Sequence, residues 1–250
     1  MTERPYQYPL DLHFDPTFSC EDFIVSHCNE KAIEWIKRWE EWPNNSLLIV
    51  GPSGCGKTHL QHIWQQLTGA LSIKAMLCKN SGDTTEEMKG RSFTLSDCQQ
   101  EGFWEHVASA PAVILDDAHT FMGDPEQEEM LFHLLNTLRS QEKAFLIAAT
   151  HSPTLWGVTL PDLASRLNAL MLVHIDAPDD TLIRQLFVKQ MGDQHLDVPA
   201  EVVEYLILRM ERSYSAIRSM VTTLCALNLS NHQRITVPLA RQALAHLTTQ

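Results

Sequence analysis

Residues 47–58 read LLIVGPSGCGKT, an apolar run followed without a gap by the pattern G-x-x-x-x-G-K-[ST]. This pattern is typical of a loop that wraps phosphate groups between a strand and a helix, because its glycines let backbone N–H groups turn inward. Lys57 reaches the β and γ phosphate oxygens, and the Thr58 hydroxyl can ligate Mg²⁺. A glycine-rich turn with an incidental lysine is the alternative, but the helical pattern over 58–67 argues against it. The predicted phosphate site comprises Gly51, Pro52, Ser53, Gly54, Cys55, Gly56, Lys57 and Thr58.

A second apolar run, residues 113–115, ends in the paired acids Asp116 and Asp117. A phosphate site of this kind needs one carboxylate to hold Mg²⁺, which we assign to Asp116, and one to orient or deprotonate the attacking water, which we assign to Asp117. The next apolar run, residues 146–149, is followed by Thr150, which we predict to sense the γ-phosphate. A threonine at a strand end is also a common turn former, and that interpretation of Thr150 stays open.

The composition is that of a globular protein, with 44% hydrophobic and 20% charged residues in a chain of 250. No apolar stretch approaches the roughly 18 residues that cross a bilayer, and the first residues show no secretory signal. We therefore predict a cytoplasmic protein without a membrane partner. The net charge of −12 is concentrated in residues 1–176, which hold 12 basic and 24 acidic side chains. Such an acidic balance argues against strong autonomous DNA binding.

Short aliphatic runs alternate with helical patterns over the first two thirds of the chain. They predict an α/β fold, a five-stranded parallel sheet covered by helices, with strands near 46–50, 72–77, 112–115, 144–149 and 171–175. The polar segment from Cys78 to Gln100 is predicted to be a loop. Later residues show only helical patterns, near 179–191, 199–212, 214–229 and 237–248. We thus predict an N-terminal extension over 1–20, a nucleotide-binding core over 21–176 and a small all-helical domain over 177–250.

Two isolated arginines lie outside any run of charge. Arg166 belongs to the short helix-like segment 160–167, just before the fifth strand, and Arg218 lies near the start of the third helix of the second domain. A planar guanidinium that reaches a γ-phosphate neutralises the charge that develops there during phosphoryl transfer. For Arg166, a surface ion pair is an equally consistent interpretation of the sequence.

Taken in order and spacing, these features resemble the AAA+ ATPases. Within them the chain resembles the Hda family of DnaA-related regulators, because residues 160–167, LPDLASRL, are similar to the segment that carries the family's arginine finger. The resemblance implies an AAA+ P-loop core with a helical lid, ADP or ATP with Mg²⁺ as cofactors, Arg166 as the finger and Arg218 as a nucleotide contact from the lid. It further implies that Phe23, Ile24 and Val25 pack against the adenine.

The N-terminal hexapeptide Gln7-Tyr8-Pro9-Leu10-Asp11-Leu12 resembles the peptide by which Hda-family proteins engage the DNA polymerase III beta sliding clamp. In such an extended anchor Leu10 and Leu12 enter an apolar pocket and Gln7 forms hydrogen bonds at its rim, while Pro9 limits the entropy of the unbound segment. An ordinary disordered tail is the alternative. The clamp is therefore a predicted partner, and DNA is contacted only through it.

The implied mechanism is that this protein, held on clamp-loaded DNA with nucleotide in its own pocket, presents Arg166 to ATP bound by DnaA. Hydrolysis would then end the competence of DnaA for initiation. Because the chain ends at Gln250, shortly after the lid and without a helix-turn-helix domain, the resemblance favours a regulator over an initiator. Turnover of ATP by this protein itself, and association into a homo-oligomer, are left open. Two alternatives remain: a truncated initiator or helicase loader that engages DNA directly, and a P-loop kinase acting on a small molecule.

Overall fold

A computed structural model describes residues 23–74, 92–94, 102–231 and 234–248. The chain divides into two compact units: one is Val25–Ala177, and the other contains Pro178–Gln250 together with the residues before Val25. Within the described ranges, no helix combines the length and the apolar character that a membrane crossing requires.

The first unit is built on a parallel sheet. Its described strands are β1 (Ser46–Val50), β2 (Leu71–Lys74), β3 (Ser92–Thr94), β4 (Ala112–Asp116), β5 (Ala144–Ala149) and β6 (Met171–His174). They lie in the order β3-β2-β4-β5-β1-β6, and every neighbouring pair is parallel. The five predicted strands are confirmed within the described residues, and residues 75–77 of the strand predicted over 72–77 lie outside them.

The sheet also contains one strand that the sequence analysis missed. The loop predicted from Cys78 to Gln100 is wrong at Ser92–Thr94, because these residues pair with Ser72–Lys74 of β2 and form the edge of the sheet. Three residues are too short to show an alternating pattern, and the pairing depends on a partner strand about 20 residues earlier in the chain. The other residues of the predicted loop lie outside the described ranges.

The middle of the sheet is apolar on both faces. Leu47, Leu48, Ile49 and Val50 are at most 3% exposed, as expected for a parallel strand covered by helices on each side. The helices of this unit are α1 (Glu30–Lys37), α2 (Lys57–Thr68), α3 (Phe103–Ser109), α4 (Pro125–Ser140) and α5 (Pro161–Asn168). The sheet thus presents the carboxyl ends of β1, β4 and β5 side by side, which is where ligands bind in open α/β sheets.

The second unit is helical in its described part. It comprises α6 (Asp180–Asp193), α7 (Ala200–Ile207), α8 (Tyr214–Asn231) and α9 (Val237–Thr248) around its own apolar core. The repeat of Ile217, Met220, Val221 and Leu224 along α8 is buried in that core. The helix predicted over 199–212 ends earlier, at Ile207, where the chain turns and leaves Leu208 79% exposed.

Candidate functional site

The loop between β1 and α2 has the geometry of a phosphate cradle. A Cβ added to Gly51 would lie 2.7 Å from the Cys55 sulfur and 2.9 Å from the Ile175 carbonyl oxygen, so that only glycine fits there. Gly56 directly precedes α2 and has a φ of 96°, a left-handed conformation that is unfavourable for residues other than glycine. These two positions fix the loop at the N-terminus of α2, where backbone N–H groups and the helix dipole favour anions.

Lys57 is held inside this loop. Its side chain is 7% exposed, and its ammonium group donates to the carbonyl oxygens of Gly51 at 2.8 Å and Pro52 at 3.0 Å. A buried cation at the mouth of a helix N-terminus is already placed for a phosphate group. Burial raises the pKa of the Cys55 thiol despite the nearby Lys57, which favours the protonated thiol at neutral pH.

The order of the strands brings the predicted residues to one edge of the sheet. Because β5 lies between β1 and β4, Thr150 at the end of β5 falls between the loop after β1 and Asp116 at the end of β4. The registers agree, since Val50 is paired with Ala149 and Leu115 with Ile147. Three segments far apart in sequence therefore form a single site.

Asp116 is fixed by a residue that the sequence analysis did not single out. The Gln61 amide nitrogen donates to Asp116 Oδ1 at 2.9 Å, and the backbone N–H of Asp117 donates to the same oxygen at 3.0 Å. Gln61 is 5% exposed and lies one turn after Lys57 on α2, and a polar residue on this buried helix face was the available signal. The Thr58 hydroxyl and the Asp116 carboxylate are hard oxygen donors of the kind that Mg²⁺ prefers, so the residues present fit this ion.

Asp117 has an unusual backbone. Its φ of 49° places a residue other than glycine in the left-handed region, and its carbonyl oxygen accepts from the Thr120 N–H at 2.9 Å and the Thr120 hydroxyl at 2.8 Å. Strained conformations of this kind cluster at functional sites, where the surrounding structure holds them in place. The Asp117 side chain is exposed just after the end of β4.

Thr150 lies between two histidines. Its hydroxyl oxygen is 3.2 Å from His119 Nε2 and 2.7 Å from His151 Nδ1, and the two rings are 5.0 Å apart. Burial lowers the pKa of His119 in spite of the nearby Asp117 carboxylate. Neither histidine carries a role predicted from the sequence, and the structure places both around Thr150.

Arg166 lies on α5 and contacts α4 rather than a carboxylate. Its guanidinium carbon is 4.6 Å from the centre of the Phe132 ring, within the range of a cation–π contact. Among the residues that the structure describes, no acidic side chain pairs with it. The surface ion pair considered as an alternative is not found among these described residues, and the Arg166 side chain is only partly buried.

Glu128 on α4 is a buried carboxylate that the sequence analysis missed. It has no exposed surface, and its oxygens accept from the Gly123 N–H at 3.0 Å, the Leu160 N–H at 2.8 Å and both the N–H (2.9 Å) and the hydroxyl (2.7 Å) of Thr159. Burial alone would raise the pKa of Glu128, but the hydrogen bonds outweigh it and the net pKa is lowered. An acid on the face of α4 that carries Leu131, Leu134 and Leu138 was the available sequence signal.

The Glu128 carboxylate makes a testable contribution to stability. Replacing Glu128 by glutamine is expected to lower the free energy of unfolding at pH 7 by about 1–3 kcal/mol, because buried N–H donors lose an acceptor. Since the folded-state pKa is lowered, the stabilisation is complete above the unfolded-state pKa and is lost as the pH falls through the folded-state value. Urea unfolding of both proteins should therefore show a difference that is constant near neutrality and shrinks below about pH 4.5. A difference that does not change with pH would contradict this account.

The remaining predicted residues belong to other segments of the chain. Arg218 is exposed on α8 in the second unit, and Phe23, Ile24 and Val25 precede α1, with Val25 49% exposed. Gln7, Leu10 and Leu12 lie outside the described residues.

Two family models together match most of the chain. Residues 14–174 match the family model of the bacterial DnaA ATPase domain, and residues 180–244 match that of the Hda lid domain. The chain belongs to the DnaA family. Its core is the family's AAA+ P-loop ATPase domain and its helical part is an Hda-type lid, which agrees with the resemblance found in the sequence and sets aside the small-molecule kinase.

Relatives within the family are similar over nearly the whole chain. The chromosomal replication initiator protein DnaA of Nautilia profundicola is 27% identical over 235 residues, covering 92% of this chain and 52% of that protein. DnaA of Sphingopyxis alaskensis is 26% identical over 246 residues, covering 96% of this chain and 54% of its own length. The chain thus spans about half the length of the curated relatives it matches.

Solved structures show the same fold. Domain III of Thermotoga maritima DnaA superimposes with a TM-score of 0.75 at 19% identity, covering 93% of this chain and 97% of that one. AMPPCP-bound DnaA from Aquifex aeolicus gives 0.64 at 23% identity, covering 84% of this chain and 65% of that one. Thermotoga maritima RuvB gives 0.63 at 16% identity, covering 92% and 72%. These likenesses establish the AAA+ architecture.

Proposed function

We propose that this protein is a negative regulator of replication initiation that promotes hydrolysis of ATP bound by DnaA. The observation that carries the proposal is Arg166, a guanidinium that no described carboxylate neutralises and that an aromatic ring supports from α4. Membership in the DnaA family and the match to an Hda-type lid support the choice of DnaA as the partner.

The protein's own site holds ADP or ATP in this proposal. Lys57 and the backbone N–H groups of residues 51–58 bind the phosphates, and Phe23, Ile24 and Val25 contact the adenine. Thr58 and Asp116 would hold Mg²⁺, which supplies a positive charge to the β and γ oxygens when bound. Asp117 orients water, Thr150 contacts the γ-phosphate, and Arg218 contacts the nucleotide from the lid.

Arg166 acts on the nucleotide of the partner. Its fixed positive charge stabilises the negative charge that spreads over the γ-phosphate oxygens in the transition state. The Phe132 ring restricts the side chain without neutralising it, because a cation–π contact leaves the guanidinium N–H groups able to donate. The guanidinium can therefore bind a phosphate with a smaller loss of conformational entropy, because its side chain is already restricted.

A reconstituted assay tests the proposal. Hydrolysis of ATP preloaded on DnaA is followed with and without this protein, and with and without sliding clamp loaded on DNA. We expect acceleration only when both are present. An unchanged lifetime of the DnaA-bound ATP in the complete mixture would reject the function.

The N-terminal peptide gives a second prediction. Replacing Gln7, Leu10 and Leu12 together by alanine is expected to abolish binding to the clamp, because the apolar anchors and the rim hydrogen bond are removed together. Binding of ADP should not change, since the phosphate loop is untouched. Surface plasmon resonance on immobilised clamp measures the first quantity and calorimetry the second. Asp11→Ala in the same segment serves as the control, and full clamp affinity of the triple variant would reject the assignment.

Direct engagement of DNA is the second candidate function. It is favoured by the fold shared with a replication initiator DnaA whose structure was solved with AMPPCP and single-stranded DNA, at a TM-score of 0.66 and 22% identity. The net charge of −12 weighs against it, because affinity for phosphate backbones comes from clustered basic residues. Fluorescence anisotropy with labelled single-stranded DNA separates the two, since direct binding predicts clamp-independent affinity that falls steeply with salt.

A further inference from the structure

The start of α5 is held by a side chain that belongs to another helix. Leu160, the residue before α5, provides no side-chain cap, and Pro161 at the first helical position has no N–H group. The N–H groups just before the helix, those of Thr159 and Leu160, instead donate to the Glu128 carboxylate of α4 at 2.9 and 2.8 Å. A negative charge at this end also suits the helix dipole.

The same face of α4 contacts α5 a second time. Phe132 follows Glu128 by four residues, one helical turn, and its ring lies under the Arg166 guanidinium at 4.6 Å. Helix α5 is thus attached to α4 near Leu160 and again at Arg166. The two points are six residues apart, about 9 Å along a helix axis, so a change of direction at the first point displaces the second.

The carboxylate also ties α5 to the turn that begins α4. One Glu128 oxygen accepts from the N–H of Gly123, two residues before α4 begins at Pro125, while the other accepts from the hydroxyl of Thr159 at 2.7 Å. Glu128 is completely buried, and a buried carboxylate is tolerated only where donors surround it. A buried carboxylate whose donors are all paired holds a single arrangement, and a residue that positions a helix needs this rigidity.

We propose that Glu128 is a positioning residue for Arg166: it sets the direction of α5 and so the place of the guanidinium on the partner's γ-phosphate. The inference rests on the proposed function of Arg166. Glu128 touches neither nucleotide nor partner in this assignment. Its loss lowers the maximal rate of stimulated hydrolysis and leaves the concentration of this protein that gives half-maximal stimulation unchanged.

The test compares two α4 variants in the clamp-dependent assay. Glu128→Gln removes the acceptor that holds α5, whereas Asp124→Ala removes the side-chain N-cap of α4, which accepts from the Glu126 N–H at 3.1 Å and makes no contact with α5 that the structure records. Since a displacement of about 1 Å can cost 10²-fold in rate, we expect Glu128→Gln to reduce the maximal rate by about 10²-fold and Asp124→Ala to leave it near wild type. Equal maximal rates for the two variants would overturn the proposal. It would also be overturned if Glu128→Gln changed only the concentration of this protein that gives half-maximal stimulation.

A gentler pair of variants covers the case in which Glu128→Gln does not fold. Thr159→Val removes only the hydroxyl donor to Glu128, and Thr159→Ser restores it. A loss of maximal rate with valine that serine rescues supports positioning, and equal maximal rates of the two variants contradict it.

Amide hydrogen exchange gives a readout independent of hydrolysis. The Leu160 amide should lose protection in Glu128→Gln, while the amides of β1 and β5 keep their protection. Unchanged protection of Leu160 would overturn the anchoring itself. If wild-type protein fails to stimulate at all, the proposed function fails, whereas active wild type with an equally active Glu128→Gln refutes only this inference.

Discussion

Arg166→Ala is expected to lower the clamp-dependent rate of DnaA-bound ATP hydrolysis by about 10³-fold or more, the effect measured for arginine fingers in GTPases. The guanidinium is only partly buried, no described carboxylate pairs with it, and its contact with the Phe132 ring leaves its donors available. Removing it should cost little stability, because a cation–π pair at a partly exposed site contributes about 0.5–1 kcal/mol. Binding of ADP and of the clamp should remain at the wild-type level.

A second cation–π pair supplies the control for this prediction. Arg209 lies 4.0 Å from the centre of the Tyr205 ring in the helical unit, so Arg209→Ala removes the same kind of contact at a position to which we assign no role in hydrolysis. Single-turnover hydrolysis of radiolabelled ATP on DnaA compares the two variants. Arg166→Lys separates charge from shape, since lysine keeps the charge and loses the planar donors. Stimulation by Arg166→Ala at the wild-type level would show that another residue supplies the charge.

Lys57→Met is expected to weaken ADP binding by on the order of 10²-fold, because the variant loses the buried ammonium group that the proposed function assigns to the phosphate oxygens. Methionine keeps the apolar length of the side chain, so the change removes mainly the charge and the hydrogen bonds. The carbonyl oxygens of Gly51 and Pro52 lose their donor, which disturbs the loop as well. Isothermal titration calorimetry with ADP and Mg²⁺ measures the loss.

Lys143→Met is the matched control. Lys143 also donates to two backbone carbonyl oxygens, those of Val107 (2.7 Å) and Ala108, but it follows α4 and precedes β5 at the opposite end of that strand from Thr150. It should therefore reproduce the structural cost of losing a hydrogen-bonded lysine without affecting ADP. Comparable affinity losses in both variants would indicate that the effect of Lys57→Met comes from unfolding, and wild-type affinity in Lys57→Met would remove Lys57 from the site.

Elements could be predicted from the sequence wherever the residues that specify them lie within one short segment. The run 47–50 is buried on both faces of the sheet and is apolar throughout, and it is followed at fixed spacing by the residues that shape the phosphate loop. Thr150 was predicted to follow a strand, and it lies at the same edge of the sheet as Asp116 because β4 and β5 are parallel neighbours. By contrast, β3 is three residues long and carries no pattern of its own, so the prediction of a loop there was wrong.

Residues whose role depends on distant partners were beyond such patterns. Gln61 looks like any polar helix residue until Asp116, 55 positions later, accepts its hydrogen bond. Glu128 looks like an exposed acid in an acidic helix start until Thr159 and Leu160, about 30 positions later, surround its oxygens. His119 and His151 both contact the Thr150 hydroxyl only because β4 and β5 are neighbours in the sheet.

The sequence by itself determined the phosphate loop, the main strands and the helical character of the second unit, because glycine spacing and apolar periodicity act within a few residues and are legible without the fold. Tertiary structure alone decided what Asp116, Thr150 and Arg166 contact. Their partners Gln61, His119 and Phe132 come from other elements, and only the packing of those elements brings the donors, acceptors and ring within bonding distance.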